Sequence, residues 1–169
     1  MNIRQETKKD YPAVYALIKT AFAAAEHCDG NEQDLVVDLR RGNAFIPELS
    51  LVAENAGKVI GHILFSKAKM DRNAVLLLAP LSVLPEFQRQ GVGTALVTEG
   101  HKIAAQMGYG YSFVLGSESY YPRFGYLPAK QFGVEIPSGF PENNFMGIML
   151  RKDARPVGGR IAFPKEFGL

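Results

Sequence analysis

The sequence predicts a single α/β domain built on a mixed sheet, and three observations support this prediction. The chain has 169 residues, enough for one domain at about 150 residues each. Hydrophobic residues make up 47% and charged residues 21%, which is ordinary globular composition. The predicted elements run βααβββαβ as far as Leu115, an α/β order. Residues 116–169 then hold six of the ten prolines and eight of the seventeen glycines, which favours short strands and ordered loops.

The N-terminal part is predicted to form one strand and two helices. Residues 2–6 form the strand, and Thr7 caps a helix with Pro12 in its first turn. The apolar residues that follow recur at helical spacing. They are Val14, Leu17, Ile18, Ala21 and Phe22. A second helix covers Glu32–Arg41 and ends at Gly42.

Sheet-forming segments dominate the middle of the chain. Residues 51–54 and 59–67 form two strands around a turn, and residues 74–83 form a third that ends before Pro85. Because the third strand is nearly all apolar, it suits a central position covered on both faces. The strongest predicted helix covers residues 91–107, and a short strand, Tyr111–Leu115, follows it.

Composition excludes several classes of protein. A formal charge of +2 does not indicate a polyanion partner, and the single cysteine excludes a disulfide framework or a paired-thiolate zinc site. The three histidines lack metal-ligand spacing. The apolar run 74–81 is shorter than the ~20 residues that span a bilayer, and the polar N-terminus is unlike a signal peptide. We expect a cytoplasmic protein that binds no metal, nucleic acid or membrane.

The most informative segment is residues 81–96, where an apolar strand enters a loop that opens the long helix. Gly91 and Gly93 lie in the first turn, where a ligand can approach free backbone N–H groups at the positive end of the helix dipole. Arg89 adds a fixed positive charge. The loop lacks the lysine of a Walker loop, and Leu96 stands where a dinucleotide fingerprint requires a small residue. The segment therefore predicts a phosphate site of another kind.

This segment resembles the pyrophosphate-binding loop of the GNAT superfamily of N-acetyltransferases. The matching string has Val83 and Pro85 before a Gln-x-x-Gly-x-Gly loop and helix. Tyr121, four residues before Gly125, resembles that family's tyrosine near the cofactor sulfur, and the Tyr-Tyr-Pro-Arg-Phe-Gly string is similar to the YhbS-like branch. The resemblance implies a mostly antiparallel central sheet flanked by helices, with splayed central strands.

The resemblance also implies acetyl transfer from acetyl-CoA, a cosubstrate, to an amine in a ternary complex, by a monomer or homodimer. Tyr121 is the candidate acid for the leaving thiolate, and its neighbour Tyr120 is expected to point into the core. A backbone N–H of the central strand polarises the thioester. No general base is identified; Glu118, Glu54, Glu26 and water stay open. The implied cofactor-binding residues are Leu81, Ser82, Val83, Gln88, Arg89, Gln90, Gly91, Val92, Gly93 and Thr94.

Alternatives to this interpretation remain open. The missing glutamate keeps a CoA-binding or acyl-CoA-binding sensor with little transferase activity as the second hypothesis. Nucleic-acid binding through the basic tail, residues 151–165, lacks a base-stacking motif. A covalent mechanism through Cys28 is disfavoured, because adjacent side chains do not point at one another as a triad requires. Substrate selectivity is assigned to residues 26–42, whose acidic residues suit a cationic amine.

Overall fold

A computed structural model describes residues 1–23, 25 and 30–169. The described residues form three α-helices: α1 (Tyr11–Phe22), α2 (Glu32–Arg41) and α3 (Val92–Gln106). They also form eight strands: β1 (Asn2–Gln5), β2 (Phe45–Asn55), β3 (Lys58–Met70), β4 (Asn73–Val83), β5 (Tyr111–Leu115), β6 (Leu127–Pro128), β7 (Phe145–Met149) and β8 (Ile161–Ala162). The predicted order of elements up to Leu115 is confirmed.

The main departure from the predicted bounds is at β2, which begins at Phe45 rather than at residue 51. Pro47 and Glu48 interrupt the apolar pattern there, and the register with β3 shifts between Phe45 and Ser50. Pairing with β3 therefore sustains a strand segment that its own sequence does not favour.

The strands form one sheet in the order β1-β2-β3-β4-β5-β7-β6, and β8 pairs with β3. Every pair is antiparallel except β4 with β5. The mixed, mostly antiparallel sheet predicted from the sequence is confirmed, with the apolar strand β4 at its centre.

Helices and loops cover the two faces of the sheet unequally. On β3, Gly61 and Phe65 face α3, because a side chain at Gly61 would meet Val92 and the Phe65 ring packs on Gly100. His62, one residue along from Gly61, points to the opposite face, where α1 and α2 pack. The C-terminal turn Lys165–Phe167 packs on α2 and thus also lies on that face. α3 is therefore separated from α1 and α2 by the sheet.

None of the helices in the described part of the chain has the length and apolar character that a bilayer span needs. No three His, Cys, Asp or Glu side chains cluster there as a metal site.

Candidate active site

The central strands β4 and β5 separate after a short paired region. Their parallel pairing covers Leu76 with Ser112 and Leu77 with Phe113. Both strands continue beyond it without pairing to each other. The register between β3 and β4 shifts by one residue at this point, where Ile63 lies opposite Leu81 but Phe65 lies opposite Leu78. An extra residue of this kind turns a strand. The splayed central strands expected from the resemblance are therefore present.

The separation exposes backbone groups on one edge of β4. The Leu84 N–H donates to the Ile60 carbonyl oxygen of β3 at 2.9 Å. Because backbone groups alternate along an antiparallel strand, Leu81 and Val83 aim their N–H and C=O groups at the opposite, open edge. The Gln88 side-chain amide reaches that edge and donates to the Val83 carbonyl oxygen at 3.1 Å. The backbone of Ser82 points at β3 instead, and its side chain is buried. Of these three predicted strand residues, Leu81 and Val83 thus offer polar groups to a ligand.

A cavity of about 1400 Å³ occupies the gap between β4 and β5. We call its wall on the α3 face the α3 side; it is lined by Gln88, Arg89, Gly91, Gly93, Thr94, Tyr120 and Arg123. We call its wall on the opposite face the aromatic side; it is lined by Phe22, Glu32, Leu35, Phe140, Phe163 and Phe167. Among the described residues that line the cavity, those with charged side chains are Arg89 and Arg123 on the α3 side, Glu32 on the aromatic side, and Glu118 in the loop after β5.

The loop before α3 presents free amides to the α3 side. Gly91 has a φ of 87° and Arg89 a φ of 60°, so two left-handed residues turn the chain into the helix. The first helical bond joins the Ala95 N–H to the Gly91 carbonyl oxygen at 3.0 Å. The N–H groups of Val92, Gly93 and Thr94 therefore have no helical acceptor. The arrangement suits a phosphate group.

Two of the predicted loop side chains do not line the cavity. Val92 is buried and packs beside Gly61, so only its backbone faces the loop. Gln90 is exposed, and its amide donates to the Glu86 carbonyl oxygen at 2.9 Å. Both residues shape the loop without offering side chains to a ligand.

Two adjacent tyrosines line the cavity beside the end of β5. The Tyr121 ring packs closely against Gly116, and its centroid lies 5.7 Å from that of the Tyr126 ring. Among the described residues, none forms a hydrogen bond with the Tyr121 hydroxyl. Burial, and to a smaller extent Tyr120, raise the pKa of that hydroxyl above its ordinary value. Tyr121 therefore presents a protonated hydroxyl that has no hydrogen-bond partner among the described residues.

Tyr120 differs from its expected position. The sequence interpretation turned it toward the core, but Tyr121 packs on the core and Tyr120 does not. The Tyr120 ring is half-buried on the cavity wall, with its hydroxyl over Gly93 and the Arg123 guanidinium 4.4 Å from its centroid. A turn that places Tyr121 on Gly116 leaves its neighbour on the α3 side.

The carboxylates considered as general bases have different positions. Glu118 is exposed and lines the cavity. Glu54 lies on the outer part of the sheet, where it accepts a 2.7 Å hydrogen bond from Arg4. Glu26 is outside the described residues, as is the His27-Cys28-Asp29 segment.

Sequence reasoning missed an amide beside Tyr121 and the aromatic wall. The Asn144 amide donates to the Gly116 carbonyl oxygen at 3.0 Å and reaches the end of β5 from a distant part of the chain. Phe140, Phe163 and Phe167 converge on the cavity from three separate segments. No local pattern marks these residues, because the sheet brings them together.

The fold and the cavity define an α/β protein with a split sheet and, beside the split, a helix start with free amides. Residues 11–126 match the model of the acetyltransferase (GNAT) family. The chain is 42% identical over 147 residues to YjhQ of Escherichia coli K12, named an uncharacterized N-acetyltransferase, covering 81% of each chain. It is 31% identical over 171 residues to the uncharacterized N-acetyltransferase YhbS of the same strain, covering 99% of this chain and 98% of YhbS. The chain therefore belongs to the GNAT family of acetyltransferases.

Solved structures agree with this assignment. The crystal structure of E. coli YhbS in complex with CoA superposes with a TM-score of 0.88 at 29% identity, covering 99% of this chain and 92% of that one. A GNAT family acetyltransferase from Brucella melitensis, in complex with acetyl-CoA, gives a TM-score of 0.81 at 28% identity, covering 98% and 97%.

Proposed function

We propose that this protein transfers the acetyl group of acetyl-CoA to a primary amine of a small molecule or protein by direct attack in a ternary complex. The observation that supports this most is the open edge of β4 beside the free amides at the start of α3. An extended diamide can pair with Leu81 and Val83 as an added strand would, while its pyrophosphate meets the loop amides and Arg89. The relatives solved with CoA and acetyl-CoA support the same ligand.

The proposed reaction needs three kinds of assistance from the chain: polarisation of the thioester, stabilisation of the departing sulfur and removal of a proton from nitrogen. The amine nitrogen forms a bond to the thioester carbon, the carbon–sulfur bond breaks, and the nitrogen loses a proton. A β4 backbone N–H polarises the thioester carbonyl. The Tyr121 hydroxyl donates a hydrogen bond to the sulfur, which departs as a thiolate and takes its proton from water. The proton from nitrogen goes to water or to Glu118, the exposed carboxylate at the cavity.

A single glycine tests the cofactor site. Gly91→Ala adds a side chain at a left-handed residue where no described atom lies within 4 Å. Its cost to folding is about 1 to 2 kcal/mol of backbone strain, and its effect on the ligand is to crowd the pyrophosphate. We expect acetyl-CoA affinity, measured by calorimetry, to fall by on the order of 10-fold or more, since 1.4 kcal/mol corresponds to tenfold.

Gly57→Ala is the matched control. Gly57 has a φ of 80°, also has no described atom within 4 Å of an added carbon, and lies in the β2–β3 turn outside the cavity lining. The Gly57→Ala variant should have the same backbone strain as Gly91→Ala but an unchanged affinity for acetyl-CoA. Equal losses in both variants would remove the loop from the proposal.

A measurement of turnover distinguishes the transferase proposal from the CoA-binding sensor hypothesis. Release of free CoA thiol is measured with acetyl-CoA and a panel of small amines and peptides. The proposal predicts amine-dependent release. Binding of acetyl-CoA without release across the panel would favour the sensor hypothesis, which the absence of a carboxylate on the facing segments Leu76–Leu78 and Phe113–Leu115 keeps open.

A further inference from the structure

The aromatic side of the cavity is a continuous wall of phenylalanine rings. The centroids of Phe140 and Phe163 are 5.7 Å apart, and those of Phe163 and Phe167 are 6.0 Å apart. All three residues are partly buried and line the cavity. An apolar surface of this kind binds apolar groups by excluding water.

Packing beneath this wall holds it in place. Phe145 is fully buried under it, with ring centroids 5.5 Å from Phe140 and 6.2 Å from Phe163. The turn that carries Phe167 rests on α2, where the Glu166 side chain packs against Gly42. A ligand at this wall therefore meets a preformed surface, which lowers the entropy cost of binding.

Charge is divided between the two sides of the cavity. Glu32, in the first turn of α2, lines the aromatic side. Arg89 and Arg123 line the α3 side, where an anionic cofactor is proposed. A cation is therefore favoured beside Glu32 and disfavoured beside the arginines.

From this arrangement, and resting on the proposed function, we infer that the acceptor is a small primary amine attached through a short chain to an aromatic ring. In the bound amine, before it loses a proton, the ammonium group lies beside Glu32 and the ring lies on the phenylalanine wall. A hydroxyl-rich or polycationic amine would lose water at this wall without gaining hydrogen bonds there. A ring gains apolar burial and edge-to-face contacts with Phe163 and Phe167.

The test measures binding to the CoA-saturated protein by calorimetry, so that it does not depend on turnover. The probe is 2-phenylethylamine, compared with propylamine, which lacks the ring, and 2-phenylethanol, which lacks the charge. We expect 2-phenylethylamine to bind at least about 10-fold more tightly than either compound, since ring burial and a charged contact are each worth more than 1.4 kcal/mol.

Two variants locate the interaction. Glu32→Gln should weaken the binding of 2-phenylethylamine by on the order of 10-fold and leave the binding of 2-phenylethanol unchanged. Asp38→Asn, an exposed residue of the same helix, is its control. Phe167→Leu should weaken the binding of both ring compounds severalfold and leave the binding of propylamine unchanged. Phe132→Leu, a half-buried ring outside the cavity, is the control for that variant.

Each outcome decides one of the two claims. Equal binding of propylamine and 2-phenylethylamine, or no response to Glu32→Gln and Phe167→Leu in folded variants, overturns the inferred acceptor and leaves the transferase proposal intact. Tighter binding of a short peptide than of 2-phenylethylamine overturns it in favour of a polypeptide N-terminus. Ring-dependent binding without thiol release supports the inferred ligand and overturns the transferase proposal.

Discussion

Gly93 is constrained by a protein side chain as well as by the proposed ligand. A Cβ atom at this position would collide with the Tyr120 hydroxyl. The first turn of α3 and the turn that carries both tyrosines therefore meet at this glycine. The close approach explains why a small residue is needed at Gly93 even before a cofactor binds.

This contact predicts coupling between two substitutions. Gly93→Ala should reduce acetyl-CoA affinity by on the order of 10-fold, because the displaced Tyr120 ring enters the α3 side. Tyr120→Phe removes the colliding oxygen, so the double variant should lose less affinity than the two single variants combined. Calorimetry on the four proteins measures the coupling. Additive losses would show that the methyl group acts on the ligand directly.

Tyr121 illustrates how burial changes an expected role. An ordinary tyrosine has a pKa of about 10 and a thiol about 8.5, but burial raises the pKa of Tyr121 further above that of a thiol. Full proton transfer to a thiolate then becomes less favourable. We therefore expect Tyr121 to stabilise the departing sulfur by donating a hydrogen bond.

Tyr121→Phe tests this role because it removes one oxygen and keeps the ring on Gly116. With acetyl-CoA affinity little changed, kcat should fall by on the order of 10²-fold. Tyr111→Phe is the control, because Tyr111 is buried and lies outside the cavity lining. An unchanged kcat in folded Tyr121→Phe would show that water, and not this hydroxyl, stabilises the departing sulfur.

At the scale of elements, a buried polar network attaches α2 to the sheet. Arg40 donates to both carboxylate oxygens of Glu6, at 3.0 and 2.9 Å. Ser50 donates to Glu6 at 2.6 Å and lies 3.1 Å from Nε2 of His62. Because the single hydroxyl proton of Ser50 goes to Glu6, the His62 proton must sit on Nε2. The network thus joins β2 and β3 to the helix that carries Glu32.

Removing the cation from this network should be costly. Arg40→Met leaves Glu6, whose side chain is 2% exposed, without its counter-charge. We expect the free energy of unfolding, from urea titration, to fall by about 3 kcal/mol or more. Arg41→Met, next along the helix and exposed, should change it by less than about 0.5 kcal/mol. Similar changes in the free energy of unfolding for the two variants would show that the Arg40–Glu6 pair contributes little to stability.

Local pattern predicted most of the elements and part of the site. The α2 bounds follow from apolar spacing and a terminal glycine, and the loop from Gln88 to Gly93 is contiguous in sequence. The start of β2 at Phe45 depends on pairing with β3, which no local pattern encodes. The phenylalanine wall is drawn from residues 140–167, far from Glu32 in the sequence, and the two line one cavity only in the folded chain. The proposed acceptor site was therefore the least predictable part.

For the molecule as a whole, the buried His62 and the partly buried His101 link stability to pH. Burial lowers the pKa of both His62 and His101 to about 4 from the ordinary 6.5. At His62, Glu6 opposes this effect and Arg40 adds to it. Nε2 of His62 lies 3.7 Å from Glu6, but the neutral ring makes this contact a polar one rather than an ion pair. His101 forms a 2.9 Å hydrogen bond with the Tyr126 hydroxyl.

These lowered pKa values predict a loss of stability on moderate acidification. Between pH 6.5 and 4 the unfolded chain binds a proton at each histidine and the folded chain does not, so stability falls as the pH falls. Each histidine contributes on the order of 3 kcal/mol over this window, at 1.36 kcal/mol per pKa unit. Above pH 6.5 neither contributes to the slope. Asp10, whose pKa is lowered to about 2, affects stability only in a more acidic range.

Urea titrations at pH 7, 5.5 and 4.5 measure the dependence of the free energy of unfolding on pH. His62→Gln and His101→Gln should each reduce this slope by about half, whatever the stability of each variant at pH 7. A slope that neither substitution changes would show that other groups cause the acid sensitivity.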